Sequence, residues 1–197
     1  LAACSTTSAT KGGALDAGAK WALLPLTNHT DTPQAALAAE AIAEHQLRVH
    51  GVANLVRYPA TLSRDSLFEP SERRVVDEAQ KWAREQGARY GVQGAVEEWR
   101  YKVGIDGEPA VGVTLQVIDL NSGAVLWSAS GAKSGWSREA LSVIAHKVMD
   151  NLLAGMPTNA ANQQEHHNPT EQQNQTNSHN ATQHPTFAGR PAALAAA

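Results

Sequence analysis

The sequence predicts an α/β fold, a mixed five-stranded sheet with helices packed on it in the order β-α-β-α-β-β-β-α. Three observations carry this. Apolar runs of strand length alternate with helix-period segments through 20–87. Three strand-like segments then follow in series across turn-rich connections at 90–131, and a last apolar stripe at helical period closes the pattern before Pro157.

The first strand is read at 20–26, "KWALLPL", a short apolar run of the buried type. It ends at "TNHTDTP", where Thr32 is placed to cap a helix whose first turn takes Pro33, since proline has no N–H to leave unsatisfied there. Ala38, Ile42, His45 and Val49 follow at helical spacing, and Gly51 closes the helix. His45 is read as a core or boundary histidine on that apolar face rather than a catalytic one. A second strand covers 52–59, "VANLVRYP", followed by a loop that carries Arg64, Asp65 and Glu69. The next helix runs from Ser71 through Val75, Val76, Ala79, Trp82 and Ala83 to Gly87, its many charged side chains forming a solvated face. The meander strands are 90–104, 110–120 and 124–131, joined by "IDGEP" and "NSG". In the middle one Val111, Val113, Leu115 and Val117 alternate with Gly112, Thr114 and Gln116, which buries one face. Ser137 is expected to cap the last helix, whose stripe is Leu141, Ile144, Ala145, Val148 and Leu152 and which ends at Gly155 and Pro157.

Two segments of different composition flank this 20–157 domain. Residues 1–19 open with "LAAC", which looks like a bacterial lipobox, and continue as a flexible tether with hardly any core-forming side chain. Cys4 is the single cysteine of the chain, so it has no disulfide partner within it, and as a lone thiol ahead of a tether it has no packing role. Residues 158–197 are rich in Asn, Gln, Thr and His; such a segment cannot bury enough apolar surface to offset about 1–2 kcal/mol of ordering entropy per residue and is read as disordered. Its His166, His167, His179 and His184 lie at irregular spacing without a cysteine or carboxylate pair, which argues against a tight metal site.

The net charge of -3 argues against nucleic acid as a partner, because displacing phosphate counterions takes a basic surface. No stretch approaches the roughly 20 apolar residues of a membrane-spanning helix, so membrane attachment falls to a lipid or to exposed side chains. The chain has no Gly-rich phosphate loop, no Gly-x-Ser-x-Gly elbow, no His-Glu-x-x-His and no Cys-x-x-Cys. Glu97 and Glu98 are adjacent on a strand, where neighbours point to opposite faces, so they are not expected to work in one pocket. The reading is a non-enzyme without catalytic residues, cofactor or metal.

Taken together, the lipobox, "WALLPLTNHTD" as first strand, the hairpin "VIDLNSGAVLWSA" and the "SGWSREAL" entry to the last helix resemble the PelC family, small outer-membrane lipoproteins of bacterial Pel exopolysaccharide export. The resemblance covers residues 1–157 and leaves the tail outside. It implies a closed ring of about a dozen subunits made by head-to-tail contacts, anchored by lipid at the periplasmic face of the outer membrane beneath the export porin PelB. It also implies an aromatic belt that dips into the membrane and an acidic funnel that guides a partly cationic polysaccharide. Cys4 would then carry the lipid, and Ser5 after it, rather than Asp, directs sorting to the outer membrane. Trp136 would be the belt residue; the alternative is a hydrophobic staple with Leu141 at the start of the last helix. Trp21, Trp82, Trp99 and Trp127 fit core or interface positions. Acidic candidates for guiding polymer are Asp31, Asp106, Glu108 and Asp119, and Asp119 can instead brace the Asn121-Ser122-Gly123 turn. A second functional class stays open, a monomeric periplasmic lipoprotein that activates or assembles a cell-envelope partner such as a cell-wall synthase.

Overall fold

The structure, a computed structural model, describes residues 5–10, 13–64, 72–101, 107–136 and 139–159. Cys4, Asp106, Ser137 and the tail from 160 onward lie outside the described residues. The elements in chain order are β1 (Ser5–Thr10), β2 (Trp21–Asn28), α1 (Ala35–Val49), β3 (Leu55–Arg57), α2 (Ala60–Arg64), α3 (Glu72–Glu85), β4 (Tyr90–Tyr101), β5 (Pro109–Asp119), β6 (Val125–Ser134) and α4 (Leu141–Ala154). The predicted mixed five-strand sheet, with its helices in the predicted order, is present as β2, α1, β3, α3, β4, β5, β6 and α4. β1 and the short α2 are additional.

The strand order is β1-β6-β5-β4-β2-β3. β2 runs parallel to both β3 and β4, as helical crossovers require, whereas β4, β5, β6 and β1 are antiparallel neighbours. β2 is covered on both faces, which explains its unbroken apolar run. Trp21, Leu23 and Leu26 join the main core beneath α1 and α4, while Ala22 and Leu24 face α3 together with Tyr58, Ala79, Ala83, Ile118 and Leu120. In β5 the predicted alternation holds, with Val111, Val113, Leu115 and Val117 all in the main core. Trp21, Trp99 and Trp127 are buried, and Trp82 packs against the smaller cluster.

The tether expectation needs correction. Ser5–Thr10 pairs antiparallel along β6, from Ser5 opposite Lys133 to Thr10 opposite Ser128. Leu15 is 2% exposed and joins the main core; its N–H donates to the Pro157 carbonyl at 2.6 Å and its carbonyl accepts from the Asn159 N–H at 3.0 Å. The folded unit thus begins before residue 20 and takes in Thr158, which is also buried. A backbone-only edge pairing has no apolar periodicity to announce it, and one leucine is too little to mark a core segment.

α1 starts at Ala35, two residues beyond the predicted turn. Thr32 does not cap it; its hydroxyl donates to the Trp99 carbonyl, and the N-cap position is Gln34 with φ 61° and no side-chain cap bond. The buried stripe is also rotated. Ala35, Ala39, Glu40, Ile42, Ala43, Gln46 and Leu47 face inward, whereas Ala38, His45 and Val49 are exposed. His45 is therefore a surface residue, with its ring edge-on to His146 at 6.1 Å. α4 keeps its predicted stripe but begins at Leu141, behind an N-cap at Ala140.

Candidate functional site

Chemistry-bearing side chains gather at one end of the sheet, where β2, β4 and β6 finish and β1 and β5 begin. The first feature is a groove of about 470 Å³ between the 28–32 turn, β4 and β5. The turn is held by its own side chains: Asn28 Oδ1 accepts from the Thr30 N–H at 3.1 Å and hydroxyl at 2.8 Å, and Asn28 Nδ2 donates to the Thr32 carbonyl at 2.9 Å. Thr32 then ties the turn to β4 through Trp99. Asp31 is thereby presented on a fixed loop, and it lines the groove with His29, Glu97, Glu98 and Arg100.

That Glu97 and Glu98 line one groove corrects the strand-alternation argument. The register jumps between Val96, opposite Val113, and Glu98, opposite Gly112. Glu97 is the extra residue of a β-bulge, which breaks the period of two and turns both carboxylates toward one opening. Glu97 Oε2 lies 2.9 Å from His29 Nδ1, and Arg100 Nε donates to Glu98 Oε1 at 3.0 Å. The groove thus sets Asp31, Glu97 and Glu98 against one guanidinium and one titratable imidazole, an anionic balance at neutral pH. A smaller hollow of about 250 Å³ continues from Glu97 over Gln93, Thr114 and Gln116. There Gln93 accepts from Gln80 at 3.0 Å and donates to Gln116 at 3.4 Å, and Thr114 donates to Ser130 at 3.1 Å. Amide and hydroxyl groups of this kind suit a hydroxyl-rich ligand.

The second feature is an aromatic corner. Trp136 is 57% exposed and Tyr101 is 49% exposed. Glu139 holds the Trp136 backbone on both sides, its carboxylate accepting from the Trp136 N–H at 3.1 Å and its own N–H donating to the Trp136 carbonyl at 3.0 Å. The Lys147 ammonium bonded to the Glu139 carboxyl, followed by that Trp136 N–H, keeps this carboxyl below its ordinary range. The Tyr101 hydroxyl donates to the Glu139 carbonyl at 3.2 Å and accepts from the Leu141 N–H at 2.9 Å, serving the α4 entry. Gly135 lets the chain pass close to α4 before Trp136: a Cβ there would lie 2.6 Å from Cδ1 of the buried Ile144, which would have to shift. An exposure above one half is not that of a ring stapled under a helix.

The remaining acidic candidates separate. Glu108 is half-buried just ahead of β5, at the aromatic end but outside the groove lining. Asp119 is at the opposite end of the sheet and braces its turn, Oδ1 accepting from the Asn121 N–H, the Ser122 N–H and the Ser122 hydroxyl at 3.0, 2.9 and 3.1 Å. Those Ser122 bonds, the backbone one first, hold its carboxyl below the usual range. Glu97, Glu98 and Tyr101 were missed as site residues, and the usable signal was their crowding into "VEEWRY" at a strand end. Among the described residues no group of three or more His, Cys, Asp or Glu is placed to hold a metal.

Similarity to solved structures fits this architecture. The chain is 42% identical to the PelC dodecamer from Paraburkholderia phytofirmans, covering 79% of this chain and 99% of that one, with a TM-score of 0.67. This chain belongs to the PelC family. A Leu-to-Met variant of the same dodecamer aligns at 43% identity over 78% of this chain and 99% of that one, also with a TM-score of 0.67. The lipoprotein GNA1162 from Neisseria meningitidis shares the fold at 18% identity and a TM-score of 0.51, covering 66% of this chain and 91% of that one. No family model and no curated protein sequence matches the chain.

Proposed function

We propose that this chain is a non-catalytic lipoprotein of the outer membrane's periplasmic face, acylated at Cys4, that assembles into a dodecameric ring. The ring guides a partly cationic exopolysaccharide of the Pel type to the porin PelB during biofilm formation. The observation that carries this reading is 42% identity over essentially the whole of a PelC protein that forms a dodecamer. Two features of this chain support it. The groove of Asp31, Glu97 and Glu98 offers carboxylates to a cationic polymer, and its amide-lined continuation offers hydrogen bonds to sugar hydroxyls. An exposed tryptophan on a fixed backbone suits a membrane interface, with its apolar ring in the acyl region and its N–H at headgroup level.

Two measurements test the proposal. The acyl-free chain of 20.9 kDa should have a solution mass of about 250 kDa if it forms the twelvefold assembly of its relative. A mass of one chain, in detergent as well as in buffer, favours instead a monomeric lipoprotein that activates or assembles a cell-envelope partner. Glu97→Gln with Glu98→Gln should lower polysaccharide secretion while leaving the assembly mass unchanged. Unaltered secretion removes the groove from the polymer path.

A further inference from the structure

We infer that His45 of α1 and His146 of α4 form a two-imidazole site for a late first-row transition-metal ion, Cu²⁺ above all, and that the bound ion clamps the two helices together. The site shares no residue with the acidic groove or the aromatic corner and stands independently of the function proposed for them. Its starting observation is a pair of exposed rings on two helices that pack against each other, with centroids 6.1 Å apart and ring planes at 79°. One nitrogen of each ring bonded to a shared ion at about 2.0–2.1 Å places the centroids about 4.5–6.5 Å apart, so side-chain rotation alone closes the site. The backbones beneath the rings are already fixed. Ile42, Ala43 and Leu47 of α1 and Ile144, Ala145 and Val148 of α4 lie buried in one core.

The next turn of the same seam sets its alignment. His50 Nε2 lies 3.0 Å from Asp150 Oδ1, which ties α1 to α4 just beyond the histidine pair. Because His50 and Asp150 engage each other, the protein supplies two ligands and water supplies the rest; among the described residues no group of three or more His, Cys, Asp or Glu is placed to hold a metal. Asp150 still contributes through its charge. It follows His146 by one helical turn, so its carboxylate lowers the cost of bringing a dication to the seam. Lys147, the cation next to His146 in the chain, is bonded to the Glu139 carboxylate. Imidazole nitrogens with water suit Cu²⁺, Ni²⁺ and Zn²⁺ rather than the oxygen-seeking Mg²⁺ and Ca²⁺, and the usual order of divalent affinities puts Cu²⁺ first.

The test uses the full-length chain carrying Cys4→Ser, His166→Asn, His167→Asn, His179→Asn and His184→Asn, which removes the competing thiol and the imidazoles of the tail. Titration calorimetry with Cu²⁺ should show one tightly bound ion per chain, and His45→Asn or His146→Asn made in that background should each weaken its binding by at least about tenfold. Cu²⁺ at about 100 times its dissociation constant should raise the melting midpoint by about 5–10 °C, and neither single variant should show that rise. Mg²⁺ at the same concentration should neither bind nor stabilise. Metal-free midpoints report whether the asparagine variants keep the fold, and His45→Gln or His146→Gln takes the place of one that does not. Affinity equal in the background and in both single variants, or lost in only one of them, overturns the shared site. Two ions per chain, with each variant retaining one, mean independent single-imidazole adducts and overturn it equally. Tight binding without a rise in midpoint overturns the clamp.

Discussion

Pro25 removes a hydrogen-bond donor from the middle of β2, and side chains of two other elements answer it. The pairing of β2 with β4 slips between Leu23 and Leu26, and the Leu26 N–H donates to Glu40 Oε1 of α1 at 3.0 Å. Glu40 is only 5% exposed, and Arg57 of β3 neutralises it at 2.9 Å. Breaking a buried pair from one side strands the other charge, so Arg57→Ala should cost about 3 kcal/mol in denaturant unfolding. Glu40→Gln, which keeps an acceptor for Leu26, should cost less. Trp136 lies at the other extreme: Trp136→Ala should cost under about 1 kcal/mol, because an exposed ring loses few core contacts, while secretion falls. A strongly lowered melting midpoint for this variant would return Trp136 to the staple role. Glu139 adds a pH dependence whose sign follows from its depressed carboxyl. Its bonds to Trp136 and Lys147 are fully present above the ordinary carboxylate pKa and are lost as pH falls through the lowered folded value. The Trp136 amide resonance should therefore move at acidic pH with a midpoint below the ordinary Glu range, and Glu139→Gln should abolish the step.

At the scale of elements, the strongest constraint is the close approach of β4 to β5. A Cβ on Gly94 would overlap the Thr114 carbonyl oxygen, which is backbone and cannot swing aside. Gly94→Ala should therefore cost about 3 kcal/mol and disturb the hollow between Gln93 and Gln116. Glu97→Ala, at the exposed bulge, should leave stability within about 0.5 kcal/mol. Urea midpoints of both variants check the contrast. The meander strands and the α4 stripe were legible because valine and leucine alternate, or recur at helical period, against clearly polar partners. α1 was legible as a helix but not in phase, since its many alanines satisfy several stripes equally and the true one includes Glu40, whose burial depends on Pro25 and Arg57. The acidic groove was half legible. Asp31 stands out at a turn, but Glu97 and Glu98 share an opening only because a bulge, which depends on β5, cancels the alternation between them.

For the whole molecule, the informative contact joins the two ends of the folded unit. Leu15 bridges Thr158, with backbone bonds to Pro157 and Asn159 on either side, and its side chain enters the main core. Composition placed the domain's end at Pro157, and nothing in "TNAANQQ" marks the pairing that carries it two residues further. Two truncations separate these boundaries. Cutting after Asn159 removes a segment whose composition supports no core, so the melting midpoint should stay where it is. Cutting after Met156 deletes the acceptor and donor that hold Leu15 and uncovers that side chain. Two backbone hydrogen bonds at about 0.5–1.5 kcal/mol each, with part of a leucine's burial, amount to about 2–3 kcal/mol. For a domain of this size that lowers the midpoint by about 4–12 °C. Because Leu15 lies five residues beyond β1, the shorter chain should also loosen the pairing of β1 with β6, and faster hydrogen exchange across Ser5–Thr10 would report it. If the two truncations melt together at the full-length midpoint, the Leu15–Thr158 closure contributes nothing and the independent domain ends at Met156.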